Sequence, residues 1–320
     1  MSHFNNIVYI LSDHIDESSP SLVRAIALAK SNQADLTLLQ ILPDIVTVCE
    51  PEDIHVDENQ LQQTILTRET EWLEHFVANL DAQFHCKTEQ VSVKRYFEII
   101  RLLQTHNYDL VIKEVEEVDW LDRLLGSDDM HLLRKCPCPV WLMTKDEKPE
   151  YRQIIAAVDF DNDDKTTCND DLNAQILKYA GLLSLAELTT LHVVNVYDVP
   201  QAGFISQWVE QPDKVKKELY NAEYLTRRLQ MNTLIDELKQ TLGEETFNFI
   251  APVTHLVQGR PDRELPKLAK SLEADLVVMG TVSRVGFAKV IIGNTAETVL
   301  SQLDSSVLTV KPKGFIAPDS

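Results

Sequence analysis

The chain is short of cations. Its 320 residues hold 30 Lys and Arg against 50 Asp and Glu, a formal charge of −20. The imbalance is steepest early, with 13 cations against 27 acids in the first 150 residues and 17 against 23 in the rest. Duplex nucleic acid binds non-specifically through cations that displace its counterions, so a field of this sign argues against nucleic acid as a partner. Long apolar runs are missing too. None approaches the roughly 18 residues of a membrane helix, and no membrane span is expected. The start, Met-Ser-His-Phe-Asn-Asn, carries neither a basic stretch nor a cleavable apolar segment, which makes a cytoplasmic protein the expectation. Cysteine is sparse and odd in number. Cys49, Cys86, Cys136, Cys138 and Cys168 therefore read as reduced thiols and not as a disulfide framework. Cys136-Pro-Cys138-Pro with His131 nearby invites a zinc reading. The gap is shorter than the roughly two to four residues between paired zinc ligands, and a second ligand pair is missing, so structural thiols and no metal site are expected.

What is present is an alternation. A hydrophobic content of 44% is that of ordinary globular protein, and the length suggests two domains of about 150 residues. The first half reads as strand 7–11, helix 18–30, strand 36–42, an acidic irregular stretch 43–58 and a long amphipathic helix 60–80. Strand 91–93, helix 97–104, strand 109–112, a short helix 130–135 and strand 139–143 follow. Residues 144–152, charged and containing a proline, read as a linker. The same order then returns, with strands at 153–159, 189–196, 253–257, 276–279 and 307–310. The helices between them are 170–185, 213–241, 261–272 and 295–303. Tyr108-Asp-Leu-Val-Ile112 answers Ala274-Asp-Leu-Val-Val278, and Pro139-Val-Trp-Leu142 answers Ser306-Val-Leu-Thr309, so the chain is an internal repeat. Strands and helices alternating at these lengths make an α/β fold: two tandem doubly wound five-stranded parallel sheets, covered on both faces, with ligands expected at the carboxyl ends of the strands. The boundaries expected are 1–145 and 153–313.

Leu276-Val-Val-Met-Gly280-Thr-Val-Ser-Arg-Val-Gly286-Phe-Ala-Lys-Val-Ile-Ile-Gly293-Asn-Thr-Ala-Glu297 carries the chemistry. A buried strand stops at one glycine, and a helix starts just after another. Glycine before a helix lets a ligand approach the unsatisfied first-turn amides, which attract phosphate. The competing reading is that Gly280 and Gly293 only stop a strand and start a helix.

Gly280-x2-Ser283-x9-Gly293-Asn294 resembles the nucleotide loop of the universal stress protein family, Gly-x2-Gly-x9-Gly-Ser/Thr/Asn, with Ser283 where the family's ATP binders carry the middle glycine. Other family marks lie at the right intervals: Ile154-Ile-Ala-Ala-Val-Asp159, Leu191-His-Val-Val-Asn195, Gly259-Arg-Pro261 and Ser306-Val-Leu-Thr-Val-Lys311. The similarity covers the whole chain and is strongest to tandem members of the E type. It implies two α/β sandwiches of the nucleotide-binding α-hydrolase-like kind that pair within one chain, with a homodimer possible, and a binding or regulatory role in stress. It also implies an ATP or other adenine-nucleotide site in the second half, built from Asp159 toward the nucleoside, backbone at Val193 and Val194 beside the base, and Gly280, Thr281, Ser283, Arg284, Gly286, Gly293, Asn294 and Thr295 toward the phosphates. A left-handed serine costs about 1–2 kcal/mol, small beside the roughly 8 kcal/mol of micromolar binding, so Ser283 weakens the site without excluding it.

Each candidate has a plainer reading. Asp159 could cap the next turn, His192 could be a satisfied core histidine, and Arg284 and Lys289 could face solvent. In the first half Glu114 falls where Gly280 stands, Glu117 where Ser283 stands and Trp120 where Gly286 stands, while Gly126-Ser127 keeps the place of Gly293-Asn294. Asp128 and Asp129 follow directly and would repel phosphate, so the first half is expected to be a non-binding partner domain. Glu114, Glu116 and Glu117 would otherwise form an acid-base group or a solvated edge. Phe204, Ile205 and Trp208, in what reads as a loop from Pro200 to Pro212, are expected to be buried against the body, at the interface between the halves, or as a lid over an apolar ligand. No catalytic triad or P-loop lysine is identifiable, so at most slow ATP hydrolysis is expected. A nucleotide-independent module for an apolar ligand or protein partner is the alternative.

Overall fold

The computed structural model describes residues 4–12, 15–43, 58–80, 84–93, 97–115, 128–160, 168–281, 293–313 and 315. The chain divides into two compact units between Pro149 and Glu150. The first runs β1 (Asn6–Ile10), α1 (Pro20–Asn32), β2 (Asp35–Pro43), α2 (Glu58–Asn79), β3 (Lys87–Val93), α3 (Phe97–Thr105), β4 (Leu110–Glu114), α4 (Asp128–Lys135) and β5 (Val140–Met143). Its strands lie in the order β3-β2-β1-β4-β5, all described pairs parallel.

The second unit runs β6 (Gln153–Ala157), α5 (Cys168–Glu187), β7 (Thr190–Tyr197), α6 (Pro200–Ser206), α7 (Pro212–Leu242), α8 (Glu244–Ile250), β8 (Val253–Gln258), α9 (Pro261–Ser271), β9 (Leu276–Gly280), α10 (Asn294–Leu300) and β10 (Ser306–Val310). Its order is β10-β9-β6-β7-β8, again parallel. The centre of each sheet is dry: Ile7 to Ile10, Leu110 to Ile112, Ile154 to Ala156 and Leu276 to Val278 are at most 1% exposed. Strands buried on both faces read as continuous apolar runs, which is why these segments carry no polar alternation.

The residues that repeat between the halves include a clamp. Asp109 accepts the N–H groups of Asn5 (2.6 Å) and Asn6 (3.2 Å), and Asp275 accepts those of Arg152 (2.6 Å) and Gln153 (2.9 Å). Each aspartate thereby ties the start of its central strand to the start of the neighbouring one. The expected linker is also more firmly held than its charge suggests. Buried Arg24 of α1 donates to the carbonyls of Lys148 (2.7 Å) and Pro149 (3.1 Å) and pairs with Glu147 at 3.4 Å.

Two readings of the segment after β7 are corrected. Pro200 begins helix α6 where a loop was expected, because proline at the first helical position sacrifices no hydrogen bond, whereas α7 starts at Pro212, within a residue of the helix expected from 213. The bulky residues there are not covered. Phe204 is 65% exposed, Ile205 40% and Trp208 78%, because α6 turns its small residues, Ala202 and Ser206, inward. Of the irregular stretch expected at 43–58, Pro43 ends β2 and Glu58 begins α2, and the residues between lie outside the described ones.

Candidate functional site

A cavity of about 490 Å³ opens at the carboxyl ends of the second unit's strands, within the usual range for small-molecule sites. β6 and its extension supply Ala157 to Phe160, β7 supplies Val194, Val196, Tyr197 and Asp198, and β9 supplies Met279 and Gly280. The helices contribute Leu172, Asn173 and Ile176 from α5, Arg227 from α7, Pro261 and Leu265 from α9, and Asn294 to Ala296 with Val299 from α10, preceded by Gly293.

Of the residues expected from sequence, Asp159, Val194, Gly280, Gly293, Asn294 and Thr295 line this cavity. Val193 is wholly buried and alternates to the opposite face of β7 from Val194, so only its backbone is available to a ligand on this side. Thr281 is buried as well, its hydroxyl accepting a hydrogen bond from Lys311 Nζ at 2.5 Å. Its carbonyl accepts the Gly293 N–H at 3.2 Å, which brings the end of β9 against the start of α10. The amides of Asn294, Thr295 and Ala296, in the first turn of α10, have no intrahelical acceptor. Ser283, Arg284, Gly286 and Lys289 lie outside the described residues.

The glycines divide by cause. Gly280 is fixed by packing: a Cβ there would come within 2.8 Å of Leu172 Cδ2. Gly259, opening the turn before α9, has φ +141° and a would-be Cβ 2.6 Å from Glu264 Cγ, a conformation reserved for glycine. Gly293 has φ −65° and ψ 138°, which any residue adopts. If glycine matters at 293, it is for the space its missing side chain leaves.

Four residues that the sequence reading missed hold the cavity's shape. Asn173 brackets Asp159, accepting its N–H (3.1 Å) and donating to its carbonyl (2.8 Å). Asn195 donates to Val158 O at 3.0 Å. Arg227 is buried, pairs with Glu223 at 2.6 Å and donates to Phe160 O. Asp198 accepts the hydroxyl of Tyr220 at 3.3 Å. Burial, with Asp198 beside it, raises the Tyr220 phenol. Burial, with Tyr224 and Glu223 nearby, raises that of Tyr197. Arg227 had a signal. It occupies the apolar stripe of α7 with Met231, Leu234 and Leu238, where a charged side chain needs a buried partner.

The equivalent place in the first unit is filled from within. Strand registers put Lys113 and Glu114 where Met279 and Gly280 stand. The Glu114 carboxylate accepts Ser19 Oγ at 2.6 Å and Ser21 Oγ at 2.5 Å, beside the start of α1. Tyr9 shares Ser21 Oγ at 2.7 Å, and burial holds its phenol far above the ordinary range. Asp129 is not a bare acid at a helix end. It pairs with Lys113 Nζ at 2.8 Å, both side chains nearly buried. The Asp128 side chain, Glu116, Glu117, Trp120 and Gly126-Ser127 lie outside the described residues. His192, also considered from sequence, bonds His255 and Gln153 well below the cavity rim. Among the described residues no three His, Cys, Asp or Glu side chains form a metal-holding group, and no described helix is long and apolar enough to cross a membrane.

The sequence profile of the universal stress protein family matches residues 4–144 and again 150–311. The chain belongs to the universal stress protein family. The two matches are its two units, so it is a tandem member. It is 27% identical to universal stress protein E of Photorhabdus laumondii, over 99% of this chain and 98% of that protein. To the Salmonella typhi protein of the same name it is 28% identical, over 99% and 98%. A crystal structure of a functionally unknown protein from Pseudomonas aeruginosa PAO1 shares 26% identity with a TM-score of 0.65, over 97% of this chain and 94% of that one.

Proposed function

We propose that the second unit carries a degenerate adenine-nucleotide site, with ATP as the reference ligand, and that the protein acts in the stress response by binding or regulation. The observation that carries this reading is the 490 Å³ cavity whose wall holds Asp159, Val194, Gly280, Gly293, Asn294 and Thr295 together. These are residues that the family pattern assigns to nucleoside and phosphate. Ser283, Arg284 and Gly286 join them by sequence pattern. The first unit is the non-binding partner, since the Glu114 carboxylate and its serine donors occupy the corresponding position.

The test is thermal unfolding with ATP, ADP and AMP. A ligand at a hundred times its Kd adds about 2.7 kcal/mol to stability. Gly293→Val puts a branched side chain where the phosphate must approach α10 and should abolish the shift, whereas Ser283→Gly restores the family pattern and should leave it equal or larger. Parent-like binding by Gly293→Val would show the phosphate assignment to be wrong. A second reading, a nucleotide-independent module for a protein partner or apolar ligand, is favoured by exposed Phe204 on α6 and Trp208 just beyond its end, whose rings lie 6.1 Å apart. A chain that no nucleotide stabilises, but whose Trp208 fluorescence responds to a partner, supports it.

A further inference from the structure

Cys136 and Cys138 belong to nothing described above. Cys136 follows the last residue of α4, and its N–H closes that helix on Leu132 O at 2.9 Å. The chain bends at Pro137 and Cys138 and enters β5 after Pro139. The bend brings the two Sγ atoms to 3.5 Å. Cys136 is 0% exposed and Cys138 8%, and neither is in a disulfide. A helix end and a strand start thus hold two sulfurs in contact. Bonding them requires an approach of about 1.5 Å, which rotation of two short side chains can supply.

We propose that Cys136 and Cys138 form a reversible dithiol–disulfide site, a modification site for small two-electron thiol oxidants. The reaction balances with an azodicarboxamide as oxidant. One thiol adds across the N=N bond, its sulfur to one nitrogen and its proton to the other. The second sulfur then attacks the first, the S–N bond breaks, and the second proton goes to the departing nitrogen. Two Cys–SH and one R–N=N–R give one Cys–S–S–Cys and one R–NH–NH–R. The attacking species is a thiolate, and Cys138 resists becoming one. The hydrogen bond that its S–H donates to Cys136 Sγ raises its thiol well above the ordinary value, and burial and the Asp109 carboxylate act in the same direction. Attack by Cys138 is therefore slow at neutral pH and accelerates into the alkaline range. A bridge closing so short a loop gains the least chain-entropy stabilisation, so it should be readily reversed by a dithiol.

The test uses the full-length chain with Cys49, Cys86 and Cys168 replaced by serine, treated with diamide at pH 8 and read by intact mass and by thiol titration after denaturation. Loss of two hydrogens and of both thiols, without dimer on a non-reducing gel and reversed by dithiothreitol, supports the site. The rate should rise about tenfold per pH unit between pH 7 and pH 9. Cys138→Ser in the same background should lose no hydrogen pair. Should the serine background fold poorly, the parent chain gives the same answer after trypsin, because Cys136 and Cys138 share the peptide 136–145. That peptide must be lighter by two hydrogens. Persistence of both thiols in excess diamide, or linkage of either to Cys86 or to a second chain, overturns the proposal.

Discussion

The two units share a strand order and differ at one corner of it. At the end of β9 stands a glycine, against which Leu172 packs, and a cavity opens beyond. At the end of β4 stands a glutamate whose carboxylate is held by two serine hydroxyls from the start of α1. One position earlier the pair is Met279 against Lys113, and Lys113 has brought Asp129 with it. The backbone course is shared, while the side chains at this corner form an internal polar network in the first unit and line a cavity in the second. Such a network must be complete, because each buried polar group left without a partner costs more than the pair contributes.

That completeness sets the largest effect expected. Lys113→Met copies the second unit but strands Asp129, whose side chain is only 12% exposed. Removing one partner of a buried pair costs about 3–5 kcal/mol, read as a lower midpoint in urea. Adding Asp129→Asn should recover most of it. If the single variant is as stable as the parent, the pair is not the constraint that separates the two units.

A smaller loss, about 1–3 kcal/mol, is expected of Glu114→Ala, which leaves the hydroxyls of Ser19 and Ser21 without their acceptor. The exposed side of Glu114 argues for the lower end. The comparison is sharpened by what the variant should not gain. The donors that remain are hydroxyls in a space that Glu114 had filled, without the Gly293-to-Thr295 arrangement of the other unit. ATP should therefore stabilise this variant no more than it stabilises the parent.

How far sequence reached can be stated from these residues. The strands and most helices were legible because buried parallel strands are unbroken apolar runs. The repeat was legible because Asp109 and Asp275 do the same work in each half. Pro200 misled, since proline marks a helix start as readily as a loop. The second-unit wall was legible where it rests on the strand end and α10. It was not legible in Asn173, Asn195 and Arg227, because long-range hydrogen bonds to Asp159, Val158 and Phe160 leave no local pattern. The exposure of Phe204 and Trp208 was unreadable for a related reason: a short helix shows its composition in sequence but not which side it turns to its neighbours.

The smallest effect concerns the sheet rather than its rim. Where the first unit has Thr37 and Glu89 on neighbouring strands, the second has His192 and His255, by equivalent registers. His192 Nε2 lies 2.8 Å from Gln153 Oε1, which can only accept, so that nitrogen carries the hydrogen. Its Nδ1, 2.9 Å from His255 Nε2, then accepts from the second ring. The ladder needs His192 neutral, because its Nδ1 must stay free of a proton to accept. Burial, and for His192 the neighbouring His255 charge, lowers both from the ordinary value. Folded values below the unfolded value near 6.5 mean that under pH 6.5 the unfolded chain binds more protons, so stability falls with pH there and is unaffected by these groups above it. Stability measured in urea should therefore decline from pH 6.5 toward 5 more steeply in the parent than in a His192→Thr, His255→Thr variant, and the two slopes should match above pH 7. Equal slopes below 6.5 would mean that the ladder accepts a proton without cost, and that this difference between the units is one of packing alone.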